Sequence, residues 1–182
     1  MSCTQILPIL KRDPRWYALT VMPQHEKSVS AALRNKGLEQ FLPLYSSRRS
    51  WSDRIKELEL PLFPGYVFCR FPFEDRVSVL RTLGVNSIVK FGNEPAPIPD
   101  KEIDDIKTMV ASRLPLSPWP YRKVGQKVRI IDGPLRDVEG ILLRVKGSWR
   151  LVLSVFLLQC SVTVEIDSNS VAALQTPETG CF

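Results

Sequence analysis

With one histidine, four cysteines and nine glycines in 182 residues, the sequence is short of the parts from which most catalytic and metal sites are built. His25 stands alone at an expected helix start. No Ser/His/Asp arrangement, phosphate-binding glycine loop or paired-carboxylate cluster accompanies it, so it reads as a surface residue and no enzyme is indicated. Cys3, Cys69, Cys160 and Cys181 are scattered singly, without the C-x-x-C spacing of metal motifs. A disulfide framework is not expected in a chain of this size. Cys69 and Cys160 fall in apolar strand patterns, where a free thiol behaves as a small hydrophobe. No run approaches the roughly 18 apolar residues a membrane span requires. Residues 1–10 show neither a charged leader nor a small-residue cleavage site. These absences lead to the expectation of a cytoplasmic monomer with no cofactor, no metal and no membrane partner.

What is present is an uneven charge. The net charge is +6. Residues 11–56 carry ten Lys/Arg against four Asp/Glu, whereas residues 57–122 carry eight against nine and residues 123–182 seven against six. All of the excess lies in the first third of the chain. That distribution suits a polyanion footprint on one part of one domain, and it equally suits a solvated face.

Hydrophobic periodicity divides the chain in two. Trp16–Val21, bounded by Pro14 and Pro23, reads as a strand, and residues 24–36 as a helix with Val29, Ala32 and Leu33 on one face and Gly37 as its stop. Phe41–Leu44 reads as an edge strand because Pro43 interrupts it. Tyr45–Lys56 is a basic, polar excursion expected to be mobile. Glu57 and Glu59 then alternate as strand-edge charges before the aromatic run Leu60–Phe71. In that run Pro64-Gly65 is a break. After it Tyr66, Phe68 and Arg70 share one strand face, and Val67, Cys69 and Phe71 the other. A helix over 74–83, a strand over 85–91 and a third helix capped by Asp100, with Ile103, Ile106 and Val110 inward, complete about 95 residues. This is an α/β sandwich with helices on one sheet face. Residues 114–122 hold Pro115, Pro118 and Pro120 and read as a semi-rigid linker. Four short strands with turns every 8–12 residues follow, the pattern of a small β-barrel. The expected organisation is a tail over 1–13, a domain over 14–113, a linker over 114–122, a second domain over 123–175 and a tail over 176–182.

Three separated signals resemble the NusG family of transcription elongation factors. These are Trp16-Tyr17 opening a strand before a helix near Glu26-Lys27, Phe63-Pro64-Gly65-Tyr66-Val67-Phe68, and Val124–Ile130 running through Asp132-Gly133-Pro134 to Gly140. The resemblance covers residues 16–174 in order and spacing. It implies an α+β chain: an N-terminal NGN domain, with an antiparallel sheet and helices, followed by a small SH3-like KOW β-barrel. Lys90-Phe91-Gly92 followed by Pro95-Ala96-Pro97-Ile98-Pro99 is similar to the specialised RfaH-like antitermination paralogues, as is the basic excursion at Arg48-Arg49.

The resemblance implies binding rather than chemistry. The NGN domain would hold the clamp helices of the RNA polymerase β′ subunit in an apolar cavity lined by Tyr66 and Phe68, with Phe63, Tyr17 and Phe91 as further candidates. Tyr66 and Phe68 are equally suited to an ordinary core. Lys27, Arg34 and Arg81 would approach non-template DNA. Arg76-Val77-Ser78 occupies the place of the family's contact with the β subunit without reproducing its sequence. Arg48, Arg49 and Arg54 suit phosphates, and Trp51 suits stacking on an unpaired base, or the group is simply a solubilising loop. In the KOW domain the family contacts Rho or a ribosomal protein of the small subunit through a loop near Phe156. Here Leu157-Leu158 replaces its Gly-Arg pair, or Phe156, Leu157 and Leu158 are simply barrel core. Three functions are therefore in view: an operon-specific antiterminator, a general factor acting with Rho, and an RNA-binding or ribosome-associated barrel protein.

Overall fold

The computed structural model describes residues 13–51, 54–120, 126–145, 148–155, 158, 160–166 and 171–173. Its centre is a four-stranded antiparallel sheet in the order β2-β5-β1-β6, built from β1 (Arg15–Val21), β2 (Glu39–Phe41), β5 (Tyr66–Phe71) and β6 (Val85–Ile88). β1 and β5 pair along their length, with Trp16 opposite Arg70, Ala18 opposite Phe68 and Thr20 opposite Tyr66. Directly opposed residues share a face, so Tyr66, Phe68 and Arg70 lie with Trp16 and Ala18, as the alternation predicts. Val67, Cys69 and Phe71 lie on the other face with Tyr17 and Leu19.

The two faces have different covers. Val67, Cys69 and Phe71 pack with Tyr17, Leu19 and Val21 against Val29 and Leu33 of α1 (Glu26–Asn35) and Val79 of α2 (Arg76–Leu80). The α2–β6 turn locks into this layer at Gly84, which has φ +92°, and a Cβ there would meet Val29 Cγ2 at 2.9 Å. The opposite face carries α3 (Asp100–Ala111), which buries Ile103, Ile106 and Met109. Helices thus lie on both faces, where the sequence pattern suggested one. Inside α3 the third inward residue is Met109, and Val110 is only half-buried. Asp100 is the first helical residue rather than the cap; Pro99 takes the cap position with an extended ψ of 137°. Asp100 and Glu102 in the first turn still complement the helix dipole.

The basic excursion is regular structure. β3 (Leu44–Trp51) and β4 (Arg54–Pro61) form a two-stranded ribbon paired from Leu44↔Pro61 to Trp51↔Arg54. The expected strand over 85–91 divides into β6 and a small hairpin of β7 (Lys90–Phe91) and β8 (Glu94–Pro95).

The C-terminal part is a six-stranded antiparallel sheet in the order β14-β10-β11-β12-β13-β9. It comprises β9 (Leu116–Pro120), β10 (Gln126–Ile130), β11 (Glu139–Val145), β12 (Ser148–Val155), β13 (Cys160–Ile166) and β14 (Val171–Ala173). Most of the expected linker is therefore strand. β9 pairs with β13 from Leu116↔Val164 to Pro120↔Cys160 at the sheet edge, the position where missing proline N–H groups cost least. Gly140 marks a close approach, since a Cβ there would meet the Val152 carbonyl oxygen at 2.7 Å. Val128, Ile130, Leu151, Leu153, Val162 and Val164 join Trp16, Phe68 and the buried face of α3 in one continuous core.

Candidate functional site

The site is the sheet face bearing Tyr66 and Phe68, and its shape begins at the Pro64-Gly65 bend. Gly65 has φ +81°, a left-handed conformation that excludes most side chains, and its N–H donates to Glu26 Oε1 at 2.8 Å. Val21 N–H donates to the Gly65 carbonyl at 2.9 Å, and Tyr66 N–H closes the turn on Phe63 at 3.1 Å. The bend is thereby pinned to both β1 and α1. It delivers Phe63 edge-on to Phe68, with ring centroids 5.6 Å apart, while Phe41 of β2 stacks at 6.1 Å on Phe68. Phe63 and Phe68 are fully buried, whereas Tyr66 is only half covered.

The face is closed in two ways along its length. At the Trp16 end, Lys107 Nζ of α3 lies 4.8 Å from the Trp16 ring centroid and 5.9 Å from that of Phe41. Arg70 reaches Glu39 at 3.5 Å and Asp100 at 3.9 Å, and Lys107 reaches Glu39 at 3.8 Å. These charges tie α3 to β2 and β5. At the Tyr66 end the face runs into the core shared with the C-terminal sheet, against which both Tyr66 and Cys160 pack. Burial, then the neighbouring Cys160, push the Tyr66 hydroxyl above the ordinary phenol range. A polar clasp accompanies that cover: Lys101 Nζ donates to the Asp137 carbonyl at 3.3 Å and to Asp105 Oδ1 at 3.2 Å. Burial raises the Asp105 carboxyl, and Lys101 and the Glu139 backbone partly offset the rise.

Of the aromatic candidates, Tyr66, Phe68 and Phe63 come together. Tyr17 does not: it packs against Phe71 with ring centroids 4.8 Å apart and the rings tilted by 36° on the α1/α2 face, so it cannot line the same surface while the sheet is formed. Phe91 is 72% exposed in the β7–β8 hairpin. Trp16, Phe41 and Tyr45 belong to the aromatic face and escaped the sequence reading. The signal was available for Trp16, which alternates with Ala18. For Phe41 and Tyr45 it lay only in strand register.

The basic candidates divide. Lys27, Arg34 and Arg81 are exposed on the α1/α2 side, with Lys27 Nζ 4.0 Å from Glu59. Arg48, Arg49, Trp51 and Arg54 belong to the distal half of the ribbon. Val77, in the segment expected to face a polymerase subunit, is 48% exposed. Phe156 lies outside the described residues. Leu158, beside it, is buried in the continuous core, which makes packing its role. Among the described residues no group of three or more His, Cys, Asp or Glu could hold a metal ion. No helix there is long and apolar enough to cross a membrane.

The described residues thus form a buried aromatic sheet face with ion pairs at its Trp16 end, in a two-sheet α+β fold. Residues 14–107 match the family model described as transcription termination factor NusG, and the chain belongs to the NusG family. The chain is 27% identical over 177 residues to the transcription termination/antitermination protein NusG of Lactococcus lactis, covering 90% of this chain and 95% of that one. It is 29% identical over 174 residues to the protein of the same name from Escherichia coli K12, covering 86% and 94%. A solved structure described as the domain interaction in Thermotoga maritima NusG aligns over 89% of this chain and 98% of its own, with 22% identity and a TM-score of 0.55. That likeness concerns the fold.

Proposed function

We propose that this chain is an elongation and antitermination factor that grips the clamp helices of the RNA polymerase β′ subunit with the face bearing Tyr66, Phe68 and Phe63. One observation supports the reading. Tyr66 is a half-buried aromatic at the end of an apolar face, packed against a core that the C-terminal sheet shares, and Cys160 of that sheet is among the groups that act on its hydroxyl. A surface covered that way becomes available when the C-terminal sheet moves off, whereas a surface sealed by α1 and α2 does not. Aromatic anchors of this kind commonly cost about 2 kcal/mol or more of binding when truncated.

The assignment to an RfaH-like, operon-specific role rests on sequence: the Lys90–Pro99 segment and the loss of the Gly-Arg pair at Leu157-Leu158. Burial of Leu158 in the core supports a C-terminal part that does not use that position to engage Rho. A contact with the polymerase β subunit through the α2 segment and with non-template DNA through Lys27, Arg34 and Arg81 extends the same reading. A contact between the C-terminal part and a small-subunit ribosomal protein extends it further.

The test is transcription in vitro with purified polymerase on a terminator template, with and without Rho. The expected result is read-through and shortened pauses for the wild type, and loss of both for Tyr66→Ala together with loss of co-purification with polymerase. Enhanced release by Rho would instead make the chain a general factor. Co-purification of Tyr66→Ala at wild-type yield would remove the aromatic face from the interface.

A further inference from the structure

We propose that one face of the β3–β4 ribbon binds single-stranded nucleic acid through Arg49, Trp51, Arg54 and Lys56, and that Arg48 takes no part. The proposal deepens the polymerase-associated reading, on which it rests only for where the strand comes from. Register decides the membership. In an antiparallel pair, opposed residues share a face and successive pairs alternate. Tyr45↔Leu60, Ser47↔Leu58, Arg49↔Lys56 and Trp51↔Arg54 therefore fall on one face, and Leu44↔Pro61, Ser46↔Glu59, Arg48↔Glu57 and Ser50↔Ile55 on the other. The first face ends in three cationic residues and a tryptophan with no carboxylate among its eight members. The second holds one cation, placed opposite Glu57 and two positions from the Glu59 level. The positive excess of the first third of the chain is thus sorted onto one side of the ribbon.

The sorted side has a definite orientation. Tyr45 packs against the core that contains Tyr66 and Phe68, and Leu58 and Leu60 are half-buried. Glu57 and Glu59 are exposed, and Glu59, on the second face, lies 4.0 Å from Lys27 of α1. The basic end of the ribbon consequently continues the aromatic face, extending from Tyr45 to Trp51 over about 20 Å at the strand rise of roughly 3.4 Å per residue. A partner seated on Tyr66 would present any neighbouring strand to this end, and α1 would stand behind it.

The residue types select the ligand. Arginine and lysine neutralise phosphates and release their counterions, whatever the sequence. A tryptophan stacks only on a base whose π-face is free, which a duplex withholds and a single strand offers. The face has no Asn or Gln to read base edges, so binding is tolerant of sequence.

Fluorescence anisotropy with labelled 15-nucleotide oligo(dT), oligo(rU) and a duplex of equal length tests this on the full chain between 50 and 200 mM salt. Selective binding of either single strand over the duplex is expected, and the tighter arm identifies the source as DNA or RNA. The Arg49→Gln/Arg54→Gln/Lys56→Gln variant should flatten the slope of log affinity against log salt by about 2, as three lost phosphate contacts require. Trp51→Ala should weaken binding about tenfold without changing that slope. Arg48→Gln should stay within about twofold of the wild type. The charge-preserving R49K/R54K variant, with its thermal unfolding measured alongside, should retain most of the affinity and guards against misfolding. No binding by the wild type, equal affinity for duplex, or a loss for Arg48→Gln beyond about twofold would each overturn the proposal. Co-purification with polymerase is scored on the same variants: its failure with oligonucleotide binding intact would sink the polymerase reading and leave the ribbon face standing.

Discussion

The two faces of the N-terminal sheet are made from the same two central strands and similar residues, yet they are held by different means. Behind one, α1 and α2 are joined to the sheet by short connections, and Val29, Leu33 and Val79 are completely buried there. Behind the other, α3 packs at the Trp16 end, and the Tyr66 end belongs to a core shared with the C-terminal sheet, whose Cys160 acts on the Tyr66 hydroxyl. Local cover is lost only when the domain unfolds. Remote cover can be lost alone, at the cost of its own contacts. On the proposed reading, the first face is the structural half of the sheet and the second is the half available for binding.

Alanine substitution tests that distinction most severely. Phe71→Ala, on the local face, removes a ring that is 1% exposed and packed against Tyr17. A loss of about 3–5 kcal/mol in chemical denaturation is expected, enough to unfold a domain of ordinary stability in mild denaturant. Tyr66→Ala removes a half-covered ring at the margin and should cost less than about 2 kcal/mol while abolishing the proposed binding. Equal destabilisation by the two would show that the faces are one structural unit.

Thiol chemistry offers the next comparison, because each face has a cysteine. Cys69 lies fully buried on the local face, where burial, aided by Glu39, pushes its thiol up to about 12. At pH 8 only about one such thiol in ten thousand is ionised, and the thiolate is the reactive form. Cys160 is half-buried in β13, packed against the core that Tyr66 also joins, and burial raises it as well. With Cys3 and Cys181 replaced by Ser, alkylation of Cys160 should run at least about tenfold faster than that of Cys69. The reason is that partial opening exposes Cys160 and only unfolding exposes Cys69. The raised Cys69 value also fixes a sign. Because the folded pKa exceeds the unfolded one, the neutral thiol stabilises fully below about pH 9, and that contribution fades as pH climbs toward 12. Equal, slow alkylation of both thiols would mean that the C-terminal sheet is as firmly fixed as α1.

Much of this arrangement was legible in the sequence because period-two alternation is a local property. The faces of β5 could be read from Tyr66 to Phe71, and Gly37, with φ +74°, follows the α1 cap as the punctuation suggested, whereas α2 already ends at Leu80, four residues before Gly84. The ribbon was less legible. Its distal half alternates polar residues with polar residues, so no hydrophobic signal marks Tyr45–Trp51 as a strand; only Leu58 and Leu60, flanked by Glu57 and Glu59, betray the pairing partner. β9 was hidden by its prolines, which mark a linker and an edge strand alike until a partner strand is known. The placement of Tyr17 was misread because an aromatic pair at successive positions, Trp16-Tyr17, necessarily sends one ring to each face. What covers the aromatic face was beyond the sequence altogether, since the contact joins residues nearly a hundred positions apart.

The smallest expected effect concerns the clasp that holds the remote cover. Lys101 joins Asp105 to the Asp137 carbonyl, in a turn where Asp137 sits at φ +66°. The Lys101 side chain is more than half exposed, so solvent screens its charge, and the pair is worth at most about 1 kcal/mol. That is close to a fivefold change in an opening equilibrium. Lys101→Met should therefore raise the alkylation rate of Cys160 by up to about fivefold, leave that of Cys69 unchanged, and leave the denaturation midpoint of the N-terminal sheet where it was. The same shift should tighten polymerase binding by a similar factor, because apparent affinity scales with the fraction of molecules whose aromatic face is open. If Cys160 reacts no faster in Lys101→Met, the clasp is incidental and the cover is held by Val162, Val164 and their neighbours alone. Opening would then be set by the apolar area shared with α3, and substitutions on β12 and β13, rather than on Lys101, would be the ones to release the Tyr66 face.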